Sequence, residues 1–331
     1  MKDLLRRLTQ GEELTTGEAH TLLIEITEGK HTSAQIGALL ALFSMRQITP
    51  AELDGFRRAL LEKAVIPDLG TRDAIDMCGT GGDGKNTFNI STLASLVVAG
   101  AGYPVIKHGN YGVSSSCGST TILEACGYTP TSDAARLREQ LREHNFCYLH
   151  APLFHPSMKS VGPIRKELGF KTFFNMIGPL VNPVQPVYQY VGVFAPFVGD
   201  IYNEILQSCR TRYTIVHSYD GYDECSLTDT VRLTGTDGFG EYTPSELGAQ
   251  VITPDKLHGE TDLSDARDLF LRILENKGSR EQQEVVRVNA ALAIQTINSA
   301  LSLPQAMEKA AHSLDSGAAR RVLAAVVGES S

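Results

Sequence analysis

Residues 78–92 read CGTGGDGKNTFNIST, and their first half satisfies two phosphate-binding patterns at once. Gly79, Gly81 and Gly84 fit the G-x-G-x-x-G of dinucleotide-binding turns, and residues 79–85 fit the P-loop as far as its lysine. The dinucleotide reading needs an acid about 20 residues downstream to hold a ribose hydroxyl. The first acid after Asp83 is Glu124. The P-loop reading needs Ser or Thr after Lys85 to meet the nucleotide's magnesium, and Asn86 stands there. A plain strand-to-helix turn would account for the glycines alone. The polar residues downstream of them favour an anion: Thr87, Asn89, Ser91 and Thr92 stand before the apolar stretch 93–101. A helix there presents unpaired N–H groups and the positive end of its dipole. A second loop of the same character, KHGNYGVSSSCGS at 107–119, opens with a cation, Lys107, and ends in serines before a helix beginning near Gly118. Two such loops after successive strands predict a ligand with more than one phosphate group.

The elements that must carry these loops are legible in outline. Thr15 with Glu18, Thr32 with Gln35, and Thr49 with Glu52 are helix-start signatures, the last with Pro50 at the first helical position. Apolar residues then recur at helical spacing (Leu22, Leu23, Ile26; Ile36, Leu39, Leu40, Phe43), which predicts a small all-helical unit ending in a linker at 65–70. From residue 73 short apolar runs alternate with helical stretches. Strands are predicted at 74–78, 104–107, 146–149, 188–194, 213–217 and 249–252, in a largely parallel α/β sheet. The last sixty or so residues return to helix, with Ser302 and Gln305 as a further capping box.

Composition limits the function classes. A chain of 331 residues, 42% hydrophobic and 21% charged, is expected to form a soluble two-domain protein. Its 38 acidic and 30 basic residues, net charge -8, oppose broad attraction to nucleic acid or anionic membrane. Six cysteines without a C-x-x-C pair read as reduced thiols in a cytoplasm, and no targeting or membrane-spanning segment is evident.

The two loops, joined in order by HPSMKSVGPIRKELG (155–169), NMIGPLVNP (175–183) and VHSYDGYDE (216–224), resemble the signature motifs of the anthranilate phosphoribosyltransferase family. The resemblance runs from the first helices to the last. It implies a helical domain (1–70, with part of 160–185) that makes the homodimer contact. Beside it would stand a larger α/β domain (71–331) with a mostly parallel sheet, of the nucleoside phosphorylase and phosphoribosyltransferase kind, with the active site between the two. The ligand would be phosphoribosyl pyrophosphate (PRPP), contacted by Gly79, Gly82, Asp83, Thr87, Asn89, Ile90, Ser91 and Thr92 of the first loop. From the second loop come Lys107, His108, Gly109, Asn110, Tyr111, Gly112, Val113, Ser114, Ser115 and Ser119. Gly79, Asn110 and Arg165 would contact anthranilate. Ser91, Asp223 and Glu224 would ligate Mg2+, with two ions bound together with PRPP. No side chain is assigned as general acid or base. A pyrimidine nucleoside phosphorylase of the same fold needs no paired acids for magnesium, and a nucleic-acid-binding relative would conflict with the acidic balance. The chain departs from the family pattern at Tyr111, where many relatives have Arg, at Thr120–Thr121 in place of Ala-Asp, and at Ser218 in place of Gly.

Overall fold

A computed structural model describes residues 1–112, 117–209 and 212–328. Two compact units divide the chain: residues 1–66 with 151–183, and residues 67–150 with 184–331.

The first unit is helical. Its leading helices α1 (Lys2–Thr9), α2 (Thr16–Thr27), α3 (Ser33–Ser44) and α4 (Pro50–Glu62) carry the apolar stripes, and α2, α3 and α4 each open with the capping box expected of them. In each, the Thr hydroxyl accepts the N–H three residues on while the Glu or Gln side chain reaches back, satisfying two donors that the helix cannot. Phe43, Phe56, Phe173 and Phe174 pack at ring-centroid distances of 4.4–5.5 Å, so the later segment shares this unit's core.

The second unit holds a seven-stranded sheet of order β3-β2-β1-β4-β5-β6-β7. The strands are β1 (Ile75–Gly79), β2 (Val105–Gly109), β3 (Phe146–His150), β4 (Tyr188–Gly192), β5 (Arg212–Ser218), β6 (Val231–Gly235) and β7 (Gly238–Tyr242). The first five are parallel, and β6 and β7 add an antiparallel hairpin. Helices α5 (Ile90–Gly100), α6 (Ser119–Ala125) and α7 (Ala134–His144) connect strands on one side of β1. The predicted strand at 249–252 does not form. Residues 244–248 turn, Pro254 comes soon after, and the segment's backbone bonds are a turn bond from Ala249 N–H to Pro244 O at 2.9 Å and a single bond from Ile252 N–H to Leu227 O at 3.0 Å, with no ladder. Ala249 and Ile252 are buried apolar residues, which is the property that imitated a strand. The hairpin of β6 and β7, by contrast, was not expected from the sequence, although Asp237-Gly238 is a hairpin signal.

Candidate active site

β1 ends at Gly79 and its parallel neighbour β2 at Gly109, so the two glycine-rich loops leave the same edge of the sheet. In the first loop Gly81, Gly82 and Gly84 take φ of 62°, 78° and 74°, a region that side-chain-bearing residues avoid. Asp83 accepts the Lys85 N–H at 3.0 Å, closing a local turn. A segment the sequence did not mark holds the loop from outside: Phe88 N–H donates to Leu257 O, and Asn86 exchanges bonds with Gly259 in both directions. The amide of Asn89 then donates to Cys117 O at 2.9 Å and ties the first loop to the second.

The loop after β5 carries the acidic pair. Asp223 passes so close to Gly79 and Gly192, the last residues of β1 and β4, that neither position has room for a Cβ. Chain order reverses between β1 and β4, so Asp223 stands at the switch point where open α/β sheets take their ligands. Its Oδ2 accepts the Gly81 N–H at 2.7 Å, and its carboxyl also meets that of Asp83. Glu224 accepts the N–H of Ser91 in the first turn of α5, which brings the three residues expected to ligate metal together. Ser218 supports them by donating to Glu224 O at 2.7 Å.

The electrostatics of this cluster are unfavourable without a cation. Burial, and then the charge of Asp83, push the Asp223 carboxyl up to about 7. Burial raises Glu224 well above the usual range, with the Asp223 and Asp83 charges adding to it. Glu224 Oε2 is buried with no hydrogen-bond partner. Lys107 is 1% exposed and its Nζ donates to Met77 O, so its charge lies at the base of the site, coupled to Cys78, Asp76 and Glu224. Burial lowers its pKa. Crowded buried carboxylates with an orphaned oxygen, beside a serine, fit a hard divalent cation. Among the described residues no group of three or more His, Cys, Asp or Glu side chains is arranged to hold a metal.

In the second loop, Asn110 Oδ1 accepts the Tyr111 N–H at 2.8 Å, which fixes the orientation of the side-chain amide. The half-exposed Tyr111 donates its hydroxyl to Glu124 at 3.1 Å. His108 is buried in β2. Ser119 is the first residue of α6. Val113, Ser114 and Ser115 lie outside the described residues. Arg165 belongs to the helical unit, in the helix Gly162–Leu168. Its guanidinium lies over the Phe174 ring at 5.2 Å, burial lowers its pKa, and it makes no ion pair among the described residues.

Two supporting residues carry no signal in the sequence. Asn289, in the long helix Arg280–Ile297, accepts from Tyr190 Oη and Cys225 N–H and donates to Cys225 O and Val285 O. All four of its hydrogen-bonding positions are used, and it clamps the residue next to Glu224. Tyr148 lies beneath the second loop and touches Ser119 and Thr120. An Asn among the apolar residues of VNAALAI and a Tyr in FCYLH suggest core packing and nothing more.

Comparison with known proteins gives a consistent result. Residues 71–320 match the family model "Glycosyl transferase family, a/b domain", and residues 2–64 match "Glycosyl transferase family, helical bundle domain". The chain is 48% identical over 319 residues to an anthranilate phosphoribosyltransferase of Cytophaga hutchinsonii, covering 96% of this chain and 97% of that protein. A crystal structure of anthranilate phosphoribosyltransferase from Thermus thermophilus superposes with a TM-score of 0.90 at 32% identity, over 98% of each chain. The Saccharomyces cerevisiae enzyme in complex with PRPP and Mg shares the fold, with a TM-score of 0.90 at 23% identity over 98% of this chain and 96% of that one.

Proposed function

The chain belongs to the anthranilate phosphoribosyltransferase family, and from that premise we propose how its residues serve the reaction. It transfers the phosphoribosyl group of PRPP to the amino group of anthranilate, giving N-(5-phosphoribosyl)anthranilate and pyrophosphate, a step of tryptophan biosynthesis. The observation that best supports the assignment of roles is the meeting of Ser91, Asp223 and Glu224 at the switch point, beside the first glycine loop.

The backbone N–H groups and hydroxyls of the two loops, with the N-terminus of α5, hold the phosphates of PRPP. Lys107, buried under the loops, adds positive charge from below. Asn110 offers substrate its amide N–H groups and the second lone pair of an oxygen that the Tyr111 N–H holds in place. Arg165 receives the anthranilate carboxylate, for which its planar fork is suited. The aromatic amine already carries its lone pair, so these residues need supply no strong base; they hold the amine near the anomeric carbon. Ser91, Asp223 and Glu224 would hold Mg2+ on this chain, with two ions expected alongside PRPP, and the metal would supply charge neutralisation for the departing pyrophosphate. The yeast complex with PRPP and Mg supports that choice of ion. A cytoplasmic homodimer is the proposed form. Free cysteines suit a reducing compartment, and no helix among the described residues is long and apolar enough to cross a membrane.

Loss of anthranilate fluorescence on adding PRPP and Mg2+ tests the reading. The signal is expected to decay with both present and to persist in excess chelator. Undiminished turnover in chelator would reject the metal assignment.

A further inference from the structure

We propose that Tyr148 is a positioning residue for this reaction, acting through a hydrogen-bonded chain that fixes the neck of the second phosphate loop. The loop leaves β2 at Gly109 and returns at Gly118, and its two ends meet. A Cβ at Gly118 would collide with Gly112 N and Tyr111 C, and one at Gly109 with Ser119 Oγ and Tyr148 Oη. Tyr148, fully buried in β3, places its hydroxyl at this junction, 2.9 Å from Ser119 Oγ and 2.6 Å from Thr120 Oγ1. Thr120 Oγ1 is in turn 3.0 Å from His150 Nδ1. Asn110 O accepts from Ser119 Oγ at 3.3 Å and from Thr120 N–H at 3.2 Å.

With the 3.3 Å bond from Ser119 Oγ to Asn110 O made, the single proton of each hydroxyl leaves one direction for the chain. Ser119 spends its proton on Asn110 O, so Tyr148 must donate to Ser119. Thr120 then donates to Tyr148, and His150 carries its proton on Nδ1 and donates to Thr120. The chain has four donors and ends on the backbone of Asn110, with every buried hydroxyl satisfied. Chains of this kind reinforce themselves, and removal of one member leaves its neighbours unpaired in a dry environment. None of Tyr148, Thr120 and His150 is assigned to touch substrate. They set Ser119 and Asn110, which are, and the inference rests on that proposed role of the two residues.

Tyr148→Phe keeps the ring and removes the hydroxyl. It is expected to raise the KM for PRPP about three- to tenfold, the loss of roughly one hydrogen bond, with a smaller change in kcat. Thr120→Val should do the same, Thr120→Ser should restore the wild-type constant, and the double variant Tyr148→Phe/Thr120→Val should be little worse than either single one. A purely structural role predicts a lowered melting temperature with unaltered KM, and that result would overturn the proposal. So would equal behaviour of Thr120→Val and Thr120→Ser. Amide exchange at Thr120 in the substrate-free protein separates the two premises. Exchange unchanged in Tyr148→Phe means that the chain does not hold the loop. Faster exchange with wild-type KM means that Ser119 and Asn110 are not substrate contacts, which rejects the reaction role and the underlying site assignment together.

Discussion

Arg165 separates recognition of the carboxylate from everything the phosphate loops do. The one acid in IRKELG, Glu167, lies two residues on and so does not share a helix face with Arg165, whose guanidinium is stacked on Phe174 and makes no ion pair among the described residues. A cation whose burial is not compensated by a partner is prepared for an incoming anion. Arg165→Ala is therefore expected to raise the KM for anthranilate by roughly 10- to 100-fold, the equivalent of about 1.5–3 kcal/mol for a lost charge-assisted bond, with PRPP binding near normal. Arg165→Lys should recover only part, since an ammonium keeps the charge and loses the fork. Steady-state kinetics with each substrate varied decides it, and a wild-type constant for anthranilate in both variants rejects the role. Residues that speak through their type alone, such as the hydroxyls before α5, were legible without relatives. Asp223 and Glu224 were not, because adjacent acids in a loop usually face water, and only burial at the switch point distinguishes these two.

At the scale of elements, the legible features are those whose partners lie within a few residues. Each capping box joins positions three apart, and all of those predicted, at Thr15, Thr32, Thr49 and Ser302, formed. The same Glu52 that completes the box at Thr49 also does something no local pattern announces. It is 0% exposed, accepts the Leu14 N–H at 2.9 Å, and pairs with Arg46 at 2.5 Å. Burial alone would raise its pKa, but the bonds from Arg46, Thr49 and Leu14 outweigh it and hold the carboxyl below its ordinary value. A depressed folded pKa stabilises the protein above the unfolded value, about 4.3, and that contribution disappears as the pH falls through the folded value. Glu52→Gln should cost about 3 kcal/mol at neutral pH, and the difference in melting temperature from wild type should shrink below pH 4. A gap that is constant with pH would count against the ion pair. Asn289 makes the converse point, since its helix is legible and its task is not. Asn289→Ala leaves the Cys225 backbone unpaired beside Glu224, and the half-saturating Mg2+ concentration should rise about 10- to 100-fold, as for other residues that orient a ligand. A lowered melting temperature with an unchanged Mg2+ requirement would reduce Asn289 to a packing residue.

The whole molecule is where the sequence says least. Alternation of strands and helices predicted a largely parallel sheet because crossovers impose that pattern, but nothing in the composition of residues 151–183 assigns them to the helical unit. The resemblance alone implied that a later segment belongs there, together with a homodimer contact on that unit. The surface of the unit is consistent with such a contact. Met45 and Phe170 of that unit are exposed to 83% and 43%. Covering large apolar side chains that face water favours association. In a two-fold dimer each such residue counts twice, so burying both side chains stabilises the pair by several kcal/mol at about 1.5–3 kcal/mol for each side chain fully buried. Met45→Glu with Phe170→Glu should therefore convert a dimer to a monomer in sedimentation equilibrium, and each single substitution should weaken the dimer measurably. Both positions are exposed and outside the capping boxes, so the helical content seen by circular dichroism should not change. A double variant that sediments as a dimer of undiminished affinity would reject this face as the contact of the proposed homodimer, and a monomeric wild type would reject the homodimer itself.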